Sequence, residues 1–198
     1  AIDARAPKYD GGIASRVDAV PFAVVLNKDG KRFYDEGEDF WPKRYAIWGR
    51  LVAAQPDQIA YAIIDTDAVK RFMPSVFTPI VDDTINGLAG QLDLDPASVS
   101  ATIDEFNAVC PSGPIDQMIL DGKATTGLKI NKTNWAAPII KAPFYGFPLR
   151  PGITFTYMGV AVNDRAQVLM QDGKPAANLF AAGEIMAGNI LGQGYLGG

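Results

Sequence analysis

An α+β fold is what this sequence predicts, on three observations. Phe22–Leu26 reads as a strand and Lys31–Asp35 as its return, joined by Asn27-Lys28-Asp29-Gly30, residue types that signal a β-hairpin turn. Two later segments carry helical periodicity: Ile47, Trp48, Leu51 and Val52 share one face, and Val99, Ile103, Phe106 and Cys110 follow at helical spacing. From Phe144 onward, short alternating runs separated by turns read as strands again.

The chain's elements follow in order. Residues 1–21, punctuated by Pro7, Gly11, Gly12 and Pro21, are expected to be irregular before the hairpin. After the acidic step Gly37-Glu38-Asp39, Pro42 suits a first helical position, and Pro56 stops that helix after Gln55. Gly49 inside it costs roughly 1 kcal/mol relative to alanine. Gln58–Asp65 reads as a strand and Asp67–Phe72 as a short helix closed by Pro74. Residues 82–94 form a weaker helical segment with Leu88 and Leu92 on one face. Asp95-Pro96 then gives an N-cap and a proline at the first helical position. Cys110 packs on that helix as a small apolar residue, and Pro111, Gly113 and Pro114 end it. Residues 111–143 show little periodicity. Phe144–Leu149, Thr154–Tyr157, Gly159–Val162 and Gln167–Met170 read as strands, the last followed by the turn Asp172–Pro175. Leu179–Ala182 is a buried strand broken at Gly183-Glu184.

Composition bounds the function. At 198 residues the chain is one large domain or two small ones, with 48% hydrophobic and 20% charged residues, the balance of a globular protein. A net charge of −4 with no basic run argues against nucleic acid. No apolar stretch approaches the ~20 residues a spanning helix needs. The opening AIDARAPKYD lacks the apolar stretch of a signal peptide. A single cysteine, Cys110, cannot form an internal disulfide, which favours a reducing compartment and a cytoplasmic location. The absence of histidine excludes His-based triads and most zinc sites, so no metal is expected.

The end of the chain is unlike a linker. Six glycines fall between Gly183 and Gly198, interleaved with Met186, Ile190, Leu191, Tyr195 and Leu196. A flexible linker is polar; an apolar Gly-rich run packs its backbone against something flat. This segment, with LFAAGE before it, resembles the C-terminal flavin-binding segment of the fumarate reductase/succinate dehydrogenase flavoprotein family. Further blocks resemble the same family. FAVVLNKDGKRFYDE is similar to its cap-domain hairpin, and DPASVSATIDEFN to a cap helix, with Val99 in place of leucine. MGVAVNDRAQVL is similar to the strand by which its chain returns to the FAD domain, with Met158 in place of glycine.

The resemblance implies a cap (substrate) domain over residues 1–155 and a β-rich C-terminal piece of an FAD-binding domain over 156–198. It implies FAD as cofactor, with Glu184 facing the ribityl chain and Gly194, Leu196, Gly197 and Gly198 at the isoalloxazine. Family members carry an arginine shortly after the hairpin that transfers a proton to or from a dicarboxylate. Counting back from AYAIID puts Arg44 there with one residue inserted. Counting forward from Glu36 lands on Phe40, and Arg50 is the second candidate. Read without the family, either arginine is a solvated side chain or a carboxylate clamp, since guanidinium stays protonated and binds carboxylates bidentately.

Dicarboxylate-reducing members place a histidine before the returning strand and an arginine before the final glycines. Here those places hold Phe155, Thr156 and Tyr157, and Tyr195. Phe155, Tyr157 and Tyr195 are therefore the expected substrate-binding residues. The runs Asp35–Arg50 and Gly188–Leu196 resemble members that oxidise a tricarboxylate. A small polycarboxylate substrate, oxidised at a carbon–carbon bond next to a carboxylate, is the expectation, with electrons passed to a separate acceptor protein. Tyr195 also resembles the flavin Δ1-dehydrogenases of ketosteroids, and a non-catalytic ligand-binding domain is the third alternative. No G-x-G-x-x-G follows a strand and opens a helix, so the chain is read as a fragment of a longer enzyme, inactive by itself.

Overall fold

Five antiparallel strands make the sheet at the centre of the first 152 residues of this computed structural model. The structure describes every residue except Tyr9, 155–158 and 191–198. In chain order the elements are β1 (Ile2–Asp3), β2 (Val24–Asn27), α1 (Trp41–Ala53), β3 (Ala60–Ile64), β4 (Ile80–Asp82), α2 (Ile85–Gln91), α3 (Pro96–Ala108), β5 (Phe144–Arg150), β6 (Gln167–Leu169) and β7 (Pro175–Phe180). Their contacts divide into two units, Ala1–Gly152 and Ile153–Gly198.

In the first unit β2 pairs β3, β3 pairs β5, and β1 and β4 both pair the far edge of β5. β1 takes the Leu149–Arg150 end and β4 the Phe144–Gly146 end. The two-residue period of the strands splits the core into two layers. Val24, Leu26, Tyr61 and Ile63 pack against Leu88 of α2, Leu92 just after it, and Val99, Ile103 and Phe106 of α3. Val25, Ala60, Ala62, Ile64, Phe147 and Leu149 pack on the opposite side against Trp48 and Val52 of α1, with Val17 and Val20. Helices on both faces explain why β3 is buried at all five positions. Both later helices start on side-chain caps: Thr84 accepts from Gly87 N, and Asp95 from Ser98 N.

Several expectations are corrected. Ile2 and Asp3 form a strand rather than an irregular lead, because β5 offers them an open edge. Phe22 belongs to a short 3₁₀ turn, Val20–Phe22. Residues 67–72 form turns and a bend, not a helix, and β4 was not foreseen. Gly159–Val162 is no strand; only Val162 bridges, to Val168. The hairpin is the instructive case. Its turn closes, with Gly30 N donating to Asn27 O at 3.0 Å, yet pairing stops at the single bridge Leu26↔Arg32. Beyond it the Val25 N–H donates to Glu36 Oε1 at 2.9 Å. A side-chain carboxylate takes the acceptor place that a returning strand's carbonyl would hold, and residues 33–36 turn away.

Glu36 is fully shut from solvent and ion-paired with Arg32, whose Nη2 lies 2.5 Å from Oε2. Arg32 Nη1 donates to Ile130 O, and its guanidinium lies 5.2 Å from the Phe106 ring centre. Beside this pair Lys132 is buried, its Nζ donating to Ala23 O at 2.9 Å. Burial, the largest cause, lowers the Lys132 amine from 10.5 to about 8. Between those values the unfolded chain binds a proton that the folded chain does not, so stability rises with pH there. Cys110, whose thiol burial pushes from 9.0 up to about 11, acts in the opposite sense above pH 9. The clean window is thus pH 8–9, where Lys132 should add about 1 kcal/mol to the unfolding free energy. Urea unfolding across that window, compared with Lys132→Met, checks this: the variant should lose the upward slope, and equal slopes would refute it.

The second unit is built on the β6–β7 hairpin, turning at Gly173. After β7, Gly183 takes φ +78 and a 3₁₀ segment, Gly183–Asn189, follows. Asn189 ties that segment to residues 160–162: its Nδ2 donates to Val160 O, and its Oδ1 accepts from Val162 N. Gly159, at φ +123, passes so close to Ile185 O that a Cβ would sit 1.9 Å from it; only glycine fits there.

Candidate functional site

The expected arginines sit on α1, and the residues just ahead of that helix decide how they differ. Phe40 takes the N-cap position without a side-chain cap, and Pro42 falls in the first turn, where a missing N–H is no loss. Asp39 Oδ1 accepts from Phe40 N at 2.7 Å, with Lys43 Nζ 3.4 Å from the same oxygen. Glu38 and Asp39 therefore precede the positive end of the helix dipole, a favourable place for carboxylates. Gly37 puts them there: a Cβ on it would lie 2.3 Å from Asn134 O, and its own carbonyl accepts from Thr133 and Asn134 side chains.

Arg44 reaches back to both carboxylates. Its Nε lies 3.0 Å from Glu38 Oε2 and its Nη2 4.0 Å from Asp39 Oδ2, with a third of the side chain exposed. That Nε is shut from solvent, and its N–H does not point at a hydrogen-bond acceptor. The contact is an ion pair by distance rather than a hydrogen bond by angle; charge attraction has little angular demand, so the pairing stands. Tyr34 Oη donates to the same Oε2 at 2.9 Å. Burial first, then this bond to a carboxylate, push the Tyr34 phenol above its ordinary value.

Around them the start of α1 is locked by aromatic packing. Trp48, buried, meets Phe33 and Tyr34 edge-on at 5.8 and 6.0 Å between ring centres. Trp41 Nε1 donates to Asp18 Oδ1 at 2.5 Å, the same oxygen that pairs with Arg16 Nε at 2.6 Å. The Arg16 guanidinium in turn stacks 4.7 Å from the Tyr45 ring centre. Arg50 is different. Six residues on from Arg44, it emerges roughly 120° around the helix and is exposed.

The structure thus separates the two arginines instead of bringing them together. Glu38 and Tyr34, which hold Arg44, were missed by the sequence reading: Gly37-Glu38-Asp39 marked only a boundary there. In the second unit Glu184 is exposed, in the first turn of the 3₁₀ segment that follows β7. Phe155, Tyr157, Gly194, Tyr195, Leu196, Gly197 and Gly198 lie outside the described residues. Among the described residues no three His, Cys, Asp or Glu side chains gather as a metal site, and no helix is long and apolar enough to cross a membrane.

Known proteins resemble this chain along most of its length. A probable fumarate reductase of Shewanella frigidimarina is 32% identical over 181 residues, covering 89% of this chain and 28% of its own. A 3-oxosteroid 1-dehydrogenase of Mycobacterium tuberculosis is 26% identical over 200 residues, covering 89% of this chain and 35% of its own. The open conformation of a flavocytochrome c3 fumarate reductase superposes with a TM-score of 0.61 at 26% identity, over 92% of this chain and 30% of that one. The chain spans about three-tenths of the length of such relatives. The FAD binding domain family matches residues 14–198, and the chain belongs to that family.

Proposed function

We propose that this chain is the substrate cap and a C-terminal flavin-contacting piece of an FAD-dependent oxidoreductase acting at a carbon–carbon bond next to a carboxylate. The substrate of this reading is tricarballylate, oxidised to cis-aconitate. One observation carries it: Arg44 is held, part-buried, at the start of α1 against Glu38, with its charge already offset by two carboxylates. With its charge offset in this way, Arg44 is a weaker carboxylate clamp than an unpaired arginine, and that part falls to other groups. Proton transfer through a guanidinium needs an acceptor for its own proton as the substrate's arrives, and the Glu38 carboxylate beside it can serve as that acceptor.

The other roles follow from chemistry. FAD, when bound, supplies the two-electron hydride acceptor. The acceptor-only carboxylate of Glu184 matches ribityl hydroxyl donors, with Gly194, Leu196, Gly197 and Gly198 against the flavin ring. Tyr157 and Tyr195 donate to substrate carboxylates, Phe155 walls the site, and Arg50, exposed, is the candidate cationic clamp. A separate protein accepts the electrons, in the cytoplasm.

A ketosteroid substrate is the second reading, favoured by Tyr195 and by the 3-oxosteroid dehydrogenase among the relatives. The flavoprotein that carries this chain distinguishes them by anaerobic loss of flavin absorbance. Tricarballylate should bleach it, and Tyr195→Phe should raise KM about 5-fold, equivalent to about 1 kcal/mol of one lost hydrogen bond. Bleaching by a 3-oxosteroid and not by tricarballylate would overturn the polycarboxylate reading; bleaching by neither would favour a non-catalytic domain.

A further inference from the structure

We propose that Glu38 is the positioning residue for Arg44 and that Tyr34 holds Glu38 in place. This rests on the reading of Arg44 as the proton-transfer group. One carboxylate oxygen, Glu38 Oε2, serves both neighbours: Arg44 Nε at 3.0 Å and the Tyr34 hydroxyl at 2.9 Å. Tyr34 is itself fixed, its ring edge-on to the buried Trp48 at 6.0 Å. The result is a chain of contacts from the core to the guanidinium: Trp48, Tyr34, Glu38, Arg44. Arg44 Nε is the shielded atom, so the exposed third of this side chain lies on its other atoms.

The geometry has a chemical consequence. An arginine side chain has four rotatable bonds and loses much entropy when fixed. The ion pair at Nε takes part of that loss on folding and keeps the guanidinium beside Glu38, which narrows the range of places open to the outer nitrogens. Asp39 Oδ2, 4.0 Å from Nη2, adds attraction at longer range, but its other oxygen is taken by the Phe40 N–H and Lys43. Glu38 is the carboxylate that holds the guanidinium; Asp39 Oδ1 is committed to the Phe40 N–H just ahead of the helix.

Steady-state kinetics of the flavoprotein that carries this chain test this with Glu38→Gln, Tyr34→Phe and Glu38→Asp, each also combined with Arg44→Lys. Glu38→Gln keeps the size but removes the charge, and should lower kcat roughly 10-fold with KM little changed. Tyr34→Phe should do the same more weakly, and Glu38→Asp should recover part of the loss. In the Arg44→Lys background Glu38→Gln should have no further effect, because the group it orients is already gone. A purely structural role for Glu38 would instead give additive losses in both backgrounds. Wild-type kcat in Glu38→Gln while Arg44→Lys is impaired overturns the positioning proposal alone. Full turnover in Arg44→Lys overturns the proton-transfer reading beneath it.

Discussion

Arg32→Ala should destabilise the protein by about 3–5 kcal/mol, the scale measured when one member of a buried ion pair is removed. Three things fail together. Glu36 is left as an uncompensated carboxylate with no solvent access. Ile130 O loses its donor, and the Phe106 ring loses the cation lying 5.2 Å from its centre. The lysine nearby cannot substitute, since its Nζ is committed to Ala23 O and its own protonation is already opposed by burial. Urea unfolding gives the measurement, with Lys28→Ala as the reference. Lys28 pairs with Asp57 at 3.0 Å, but both are exposed, so that change should shift the unfolding midpoint far less. Equal shifts in the two variants would show that the buried pair contributes no more than a surface one.

Arg44→Lys in the flavoprotein that carries this chain should reduce turnover by roughly 10²-fold or more, the range of acid–base contributions. Lysine keeps the charge but loses the planar fork and the Nε atom that sits against Glu38. Substrate affinity should change less, because the two flanking carboxylates already spend Arg44's charge within the protein. Arg50→Lys is the matched control and should act chiefly on KM. The opposite pattern, with Arg50→Lys losing turnover and Arg44→Lys remaining active, would assign the proton-transfer role to Arg50.

The sequence made α1 and α3 legible because both carry clear stop and start chemistry. Pro42 and Pro56 bracket the first; Asp95-Pro96 caps the second, and the structure places both helices within two residues of expectation at either end. β3 and β5 were legible as apolar runs between turns. What escaped was non-local. β1 depends on β5, some 145 residues later, whose edge is free for Ile2 and Asp3, with a further bridge from Ile2 to Arg16. β4, three residues long, borrows the other end of that edge. The returning hairpin strand was lost for the same reason: a local pattern does not reveal that a carboxylate will occupy the ladder position. Of the candidate site, the arginines could be nominated from sequence, but not distinguished. Their difference lies in Glu38, Asp39 and Tyr34, whose approach depends on Gly37 passing under Asn134.

The Glu36–Val25 hydrogen bond has a consequence for how this fold drifts over generations. A backbone ladder bond is indifferent to side chains, so no single codon change short of proline erases it. Here the partner of the Val25 N–H is a side chain, and one substitution at Glu36 deletes it. A substitution there that removes the charge also strands Arg32, leaving a buried guanidinium unpaired. The two positions, together with the Ile130 carbonyl that receives Arg32, are thus one physical unit: a change that removes either charge leaves the other buried without its partner.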